Sequence, residues 1–208
     1  MLPGQFVEVR VDDSPTTFLR RPISINYVDE AKGELWLLVA TIGDGTRRLG
    51  KLVAGDNLNC VLPLGNGFTM PKDSKAKVLL VGGGVGVAPL LYFGKKIKEA
   101  GGEPTFLLGA RTATDLLELE EFRAIGRVLV TTEDGSMGAK GFVTNHSALE
   151  TEKFDQISTC GPKPMMVSVA RYAKSHDIDC EVSLENMMAC GVRACLCCVE
   201  NTIEGNVC

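Results

Sequence analysis

The sequence predicts a multi-domain α+β chain. An N-terminal antiparallel β-barrel would span residues 1–72, a central α/β domain on a parallel sheet 73–185, and a small cysteine-rich segment 186–208. Three observations predict this. Short alternating or apolar stretches separated by turn residues fill the first third. Strand-like and helix-like runs then alternate, the pattern of a parallel sheet with crossover helices. Five of the eight cysteines lie between Cys190 and Cys208, too tightly grouped for a segment with a core of its own.

Each element follows in order. Residues 6–11 (PheValGluValArgVal) alternate, 34–40 (GluLeuTrpLeuLeuValAla) are an apolar strand bounded by Gly33 and Gly43, and 57–62 follow the turn Ala54-Gly55-Asp56. Parallel strands are expected at 77–82, 104–109, 127–132, 155–159 and 179–183, with helices at 89–99, 115–125 and 164–175. Cys60 and Cys180 fall in strand patterns and read as core residues, and His146 and His176 as surface residues.

Composition narrows the function. The chain of 208 residues carries 22 Lys and Arg against 26 Asp and Glu, a net charge of −4, which argues against nucleic acid or an anionic lipid surface as partner. Its first ten residues lack the apolar core of a signal peptide, and its longest uncharged run, Val78 to Gly94, is too short and too rich in glycine to span a membrane. Clustered cysteines without a secretory signal point to a metal or cluster site rather than disulfides, and to a cytoplasmic protein.

The apolar strand 78–82 runs into Gly82-Gly83-Gly84-Val85-Gly86-Val87-Ala88-Pro89. A strand, a glycine turn and a helix N-terminus form an anion site, because amides point outward and glycine lets a phosphate approach the backbone. The spacing is G-x-G-x-x-P, with Pro89 suited to a first helical turn, and no Lys-Ser/Thr follows, which excludes a Walker-type loop. Cys160-Gly161-Pro162 ends a later strand, and ligands of open parallel sheets bind at carboxyl ends, so both loops should face one crevice. Each also serves as a plain strand-to-helix turn.

In the first segment, Arg20-Arg21-Pro22-Ile23-Ser24-Ile25 sets two guanidinium groups beside an extended stretch. Arg21 suits a phosphate and Ser24 a polar ring. Gly43-Asp44-Gly45-Thr46 offers a second phosphate cradle or a simple turn. At the other end, Cys190, Cys195, Cys198 and Cys208 give C-x4-C-x2-C-x9-C, the opening spacing of plant-type [2Fe–2S] sites. A zinc site and free thiols are the alternatives, although the paired knuckles of zinc sites are missing. Cys197 adjoins Cys198 and can replace it; the x2 spacing favours Cys198.

The order of these motifs, with ProLeuGlyAsnGlyPhe at 63–68 between them, resembles the ferredoxin–NADP reductase superfamily. Within it, the segment 183–200 is similar to the electron-transfer subunits of type B dihydroorotate dehydrogenase. The resemblance covers residues 2–208. It implies FAD held by Arg21, Pro22, Ile23 and Ser24, by Leu38, Val39 and Ala40 along its length, and by Gly45 and Thr46 at its pyrophosphate. It implies NAD on Gly82, Gly83, Gly84, Gly86 and Pro89 with Cys160, Gly161 and Pro162, and a [2Fe–2S] cluster on Cys190, Cys195, Cys198 and Cys208. Cys190 stands where a related group has Asp, which favours the dihydroorotate type. The implied partner is an FMN-containing dihydroorotate dehydrogenase catalytic subunit, two copies of each. Electrons would pass from dihydroorotate oxidation to orotate, in pyrimidine biosynthesis, through the cluster and FAD to NAD. A ferredoxin- or sulfide-linked NAD(P)H reductase subunit is the nearest alternative, and a zinc-stabilised interaction module the one from another class. Family members carry further N-terminal strands and continue past the last cysteine, so the resemblance implies an open barrel with a loosened FAD site and raises the expectation of a fragment or a trimmed homologue.

Overall fold

The computed structural model describes residues 1–202 and 205–207; Cys208 lies outside them. The first strands are β1 (Phe6–Val9), β2 (Arg21–Asp29) and β3 (Glu34–Leu37), followed by helix α1 (Asp44–Leu49) and β4 (Cys60–Leu64). The four strands form one antiparallel sheet in the order β3-β2-β1-β4. This sheet is open rather than a closed barrel among the described residues. Alternation sends Val7, Val9 and Ile25 into a small core, with Ile23, Leu35 and Leu37 packed against it.

A six-stranded parallel sheet follows, in the order β10-β9-β5-β6-β7-β8. Its members are β5 (Val78–Gly83), β6 (Thr105–Ala110), β7 (Arg127–Thr132), β8 (Ala139–Lys140), β9 (Gln156–Cys160) and β10 (Asp179–Ser183). The crossovers carry α2 (Ala88–Glu99), α3 (Leu119–Ile125), α4 (Ala148–Thr151) and α5 (Lys163–Ser175). Every residue of β5 is buried, as a central strand with helices on both faces requires. Leu80, Leu108, Phe93, Phe106 and Phe122 fill one side, and Leu79, Val81, Leu107, Ile157 and Val169 the other. Each such side chain contributes about 1.5–3 kcal/mol. A hairpin of β11 (Glu200–Thr202) and β12 (Gly205–Val207) ends the described chain. No helix among the described residues is long and apolar enough to cross a membrane.

Five of the six parallel strands fall within one residue of their expected bounds, the two-residue β8 was not expected, and three other differences have local causes. The Arg-Pro-Ile-Ser stretch belongs to a nine-residue strand, β2, because it pairs with both β1 and β3. Gly43-Asp44-Gly45-Thr46 opens a helix rather than only a turn: the Thr46 hydroxyl accepts the N–H groups of Ile42 and Gly43 at 3.0 and 3.1 Å, and Asp44 pairs with Arg47 at 2.6 Å. Helix α3 begins at Leu119 rather than 115, because Glu118 takes φ +54°.

Candidate functional site

Strands β6, β7 and β8 succeed β5 on one side, and the chain then returns to lay β9 and β10 on the other. The order therefore reverses between β5 and β9, the place where open α/β sheets take ligands. Both glycine-bearing loops leave from there: Gly82 stands opposite Cys160 in the parallel register. Gly84–Val87 forms a single 3-10 turn that feeds α2.

The loop glycines divide by role. A Cβ at Gly86 would come within 2.4 Å of Gly161 Cα, so the two loops abut backbone to backbone. At Gly82 it would meet Leu90 and Val87 at 2.9 Å, and at Gly83 the Met165 sulfur at 2.7 Å. These three glycines serve close packing. Gly84 differs: it has φ +56°, is exposed, and a Cβ there would have no neighbour within 4 Å. It is bare backbone facing open space at a strand end, the feature that fits a phosphate. Pro89 is buried in the first turn of α2, and Pro162 caps α5.

Beneath this turn lies the Cys160 thiol, fully buried and 3.8 Å from Glu185 Oε1. Burial, and then the neighbouring carboxylate, push the thiol up to about 12. Glu185 is exposed as a residue, yet desolvation over Cys160 moves its carboxyl above the usual range. A neutral thiol and a carboxyl moved up by burial thus flank the carboxyl ends of β9 and β10. Sequence reasoning missed Glu185; its place just beyond the β10 strand end was the available signal.

On the antiparallel sheet, Arg21 and the α1 turn come together. A Cβ at buried Gly45 would lie 3.1 Å from Arg21 Nε and 3.0 Å from Thr17 Cγ2. Arg21 Nη1 donates to the carbonyls of Leu19 and Arg20 at 3.0 and 3.2 Å, which aims the guanidinium at this turn. The arrangement fits a phosphate diester held by charge. The Thr46 hydroxyl also donates to Gly43 O at 3.2 Å, so it is committed to the turn and backbone groups remain for a ligand. Pro22, Ile23 and Ser24 are half-buried in β2, and Leu38, Val39 and Ala40 continue, half-buried, past β3. Arg20 turns away and bonds Asn59 Oδ1 at 2.7 Å, Asn59 O at 3.0 Å and Glu8 O at 3.2 Å.

One residue that sequence reasoning missed joins the two sheets. Asn26, two places beyond Ser24, is 1% exposed and donates from Nδ2 to Ala88 O at 3.2 Å and to Glu118 Oε2 at 2.8 Å. The strand with the Arg-Pro-Ile-Ser motif is thereby tied to the first residue of α2. Burial raises the Glu118 carboxyl, and its left-handed backbone turns it toward Asn26.

The cysteine loop carries positive φ at Gly191, Arg193 and Leu196. Cys190 Sγ accepts the amides of Val192 and Cys195, both at 3.4 Å, and these bonds lower the thiol to about 7. A thiol so prepared fits a thiolate ligand of a metal group. Cys195 and Cys197 are exposed, and Asn186 Nδ2 donates to the Cys198 carbonyl at 3.3 Å. Among the described residues no three His, Cys, Asp or Glu side chains converge as a cage, and the expected fourth ligand, Cys208, lies outside them. The loop lies on β1: a Cβ at Gly191 would meet Glu8 Cγ at 2.7 Å.

Comparison with known proteins bears on this geometry. A family model described as the oxidoreductase NAD-binding domain matches residues 80–171, which hold both glycine-bearing loops. The dihydroorotate dehydrogenase B (NAD(+)) electron transfer subunit of Shouchella clausii is 41% identical over 205 residues, 98% of this chain and 78% of that one. The subunit of the same name from Caldanaerobacter subterraneus is 41% identical over 196 residues, 94% of this chain and 75% of that one. Among solved structures, an NADH-dependent reduced ferredoxin-NADP oxidoreductase, described for flavin-based electron bifurcation, superposes with a TM-score of 0.87 at 33% identity, over 100% of this chain and 74% of that one. Amycolatopsis cytochrome P450 reductase GcoB shares the fold, with a TM-score of 0.72 at 24% identity over 88% of this chain and 60% of that one. A paired antiparallel and parallel sheet, a glycine turn at the switch point and identity along nearly the whole length agree: the chain belongs to the family of dihydroorotate dehydrogenase B (NAD(+)) electron transfer subunits.

Proposed function

We propose that this chain is the electron-transfer subunit that links oxidation of dihydroorotate to orotate, on an FMN-containing partner subunit, to NAD. The observation that carries the reading is the bond from Asn26 to Ala88, which ties the motif strand of one sheet to the helix that directly follows the glycine turn of the other. In this reading residues 1–72 bind FAD, 73–185 bind NAD and 186–208 bind a [2Fe–2S] cluster. The assembly holds two copies of each subunit and works in the cytoplasm, where thiolate ligands stay reduced.

The chain's own residues divide the work. Arg21 and the Gly45-Thr46 turn hold the FAD pyrophosphate, while Pro22, Ile23, Ser24 and 38–40 line the flavin. Bare backbone at Gly84, with the neighbouring amides, takes the NAD pyrophosphate, and Gly82, Gly83, Gly86 and Gly161 bring the loops close enough to form that seat. Pro89 starts the helix and Pro162 turns the second loop. Cys160 and Glu185 lie at the end of this crevice, beside the second loop. Cys190, Cys195, Cys198 and Cys208 ligate the cluster. When bound, the flavin exchanges electrons in pairs or singly and the cluster singly, the chemistry that joins a hydride carrier to a one-electron path.

The test is co-expression with a dihydroorotate dehydrogenase catalytic subunit. The expected result is a complex that copurifies, absorbs visible light as flavin and iron–sulfur protein, and reduces NAD with dihydroorotate. A colourless, zinc-bound chain that does not associate overturns the reading.

A further inference from the structure

Two departures from local regularity meet in one hydrogen-bonded group at the seam between the sheets. The pairing of β2 with β3 slips between Ile25 and Tyr27: Ile25 opposes Leu37 and Tyr27 opposes Trp36, so Asn26 is the extra residue of a β-bulge. The bulge changes which side chains share a face. Ile23 and Ile25 reach the antiparallel core before it; after it Val28 does so, while Tyr27 packs on the parallel-sheet core. Ile25 fills the antiparallel core, and Asn26, 1% exposed, is delivered to the seam with α2.

The second departure is Glu118. It holds the N-cap position of α3 with φ +54°, a conformation that L residues seldom adopt, and its side chain makes no cap bond to its own helix. The carboxyl turns instead to Asn26, 92 positions earlier, and Oε2 accepts from Asn26 Nδ2 at 2.8 Å. The same Nδ2 donates to Ala88 O at 3.2 Å, so both donors of the amide are committed and its plane is fixed. Burial raises the Glu118 carboxyl, but the bond needs only an acceptor oxygen, which both protonation states possess. A bulge and a left-handed residue far apart in sequence thus deliver side chains to one bond pair, the kind of over-determined local irregularity that clusters at functional sites.

Its placement suits a role in alignment. Asn26 lies two residues past Ser24, at the end of the stretch that lines the flavin in the reading above, and Ala88 directly follows the turn Gly84–Val87. Lys95, about two turns further along α2, bonds Val28 O at 2.7 Å and fastens the far end of the same contact. Asn26 is the fastening nearest both cofactor regions. Hydride passes only between partners held close and aligned, and a shift of about 1 Å can cost roughly a hundredfold in rate.

We propose that Asn26 and Glu118 are a positioning pair for hydride transfer: Glu118 orients the Asn26 amide, and the amide fixes the distance between the strand that lines the flavin and the turn that seats the nicotinamide dinucleotide. The proposal rests on the function proposed above. Neither residue touches a cofactor in this scheme. The FAD seat at Arg21 and the NAD seat at Gly84 each belong to one sheet's own loops, so losing the pair alters alignment and leaves each affinity in place.

The experiment is anaerobic stopped-flow reduction of the flavin by NADH, on the full chain in its complex. Oxidised flavin takes up the hydride that leaves NADH, giving NAD+ and the anionic reduced flavin, so no further reactant is needed. Flavin content, thermal melting and hydrogen exchange are read on the same samples. Asn26→Ala should lower the limiting rate roughly tenfold to hundredfold, with flavin content and the NADH concentration for half-maximal rate near wild type. Exchange should quicken in 24–28 and 88–91. Glu118→Gln keeps an acceptor oxygen and should keep the wild-type rate and exchange; Glu118→Ala should reproduce the loss in smaller measure. An unchanged limiting rate in Asn26→Ala, with wild-type flavin content, overturns the proposal and leaves the functional reading standing. A parallel fall of rate, flavin content and melting temperature also overturns it, because it marks a purely structural role. Glu118→Gln as slow as Glu118→Ala removes the acceptor oxygen from the scheme. A wild-type complex without flavin overturns both readings. Should Asn26→Ala not fold, Glu118→Ala decides: a wild-type rate there overturns the pair.

Discussion

The glycine turn and the cysteine loop are both candidate binding sites, yet they are built in opposite ways. The turn after β5 is fixed by the chain itself: a Cβ at Gly82, Gly83 or Gly86 would run into side chains or backbone, and the loops interlock before any ligand arrives. The cysteine loop has exposed Cys195 and Cys197, left-handed Arg193 and Leu196, and no convergence of three ligating side chains among the described residues. One region is fixed by packing within the chain, and the other is an exposed loop with left-handed backbone at three residues.

The largest effect that sharpens this contrast is expected at Cys190. Cys190→Ser should abolish the EPR signal of the reduced cluster, whereas Cys180→Ser, half-buried in β10, should leave it. A surviving signal in Cys190→Ser would remove it from the ligand set. At the turn, Gly86→Val should act through the protein rather than the ligand alone. The side chain meets Gly161, so the variant should lose about 1–3 kcal/mol of stability together with NADH-driven flavin bleaching, read by thermal melting and stopped flow. Gly84→Ala meets no atom and pays only the left-handed backbone, about 1–2 kcal/mol. Equal losses in the two variants would show that packing does not separate these glycines.

A third comparison sets Arg21 against Arg20. Arg21→Ala removes a charge-assisted contact of about 1.5–3 kcal/mol, so FAD affinity by flavin fluorescence should fall roughly tenfold to hundredfold. Arg20→Ala should leave FAD affinity near that of the wild type and lower thermal stability instead, since Arg20 bonds Asn59 and the Glu8 carbonyl. Equal FAD loss would mean that general positive charge matters. The smallest expected effect concerns Cys160. With its thiol pushed up to about 12, it should resist alkylation at pH 8 in the folded chain. Glu185→Gln removes a charge that raises the thiol, so the pH at which Cys160 reacts should fall; a rise would exclude Glu185 as its neighbour in solution.

Most of the parallel sheet was legible because its strands are continuous apolar runs and its loops carry glycine and proline. Residues 127–132 and 179–183 were bounded as observed. The antiparallel sheet was less so. Pro22 suggested only a short extended stretch, but edge-to-edge pairing with two neighbours carries β2 on to Asp29. Contact between Arg21 and Gly45, 24 positions apart, was expected only from family resemblance, since spacing says nothing about which turn a guanidinium reaches. Asn26, Glu118, Glu185 and Glu8 were silent because polar residues in strands and loops ordinarily face water, and only the fold buries Asn26 and Glu8 and brings Glu118 and Glu185 against buried partners.

Helix α2 has one more consequence. Leu90, Leu91 and Phe93 pack into the parallel-sheet core, Tyr92 packs into the antiparallel one, and Lys95 Nζ donates to Val28 O of β2 at 2.7 Å. Neither core is complete without this helix. The two sheets are therefore expected to melt together, because losing either uncovers side chains of the same twelve-residue helix. Calorimetry should record one unfolding transition, with equal calorimetric and van't Hoff enthalpies, despite the two-sheet architecture.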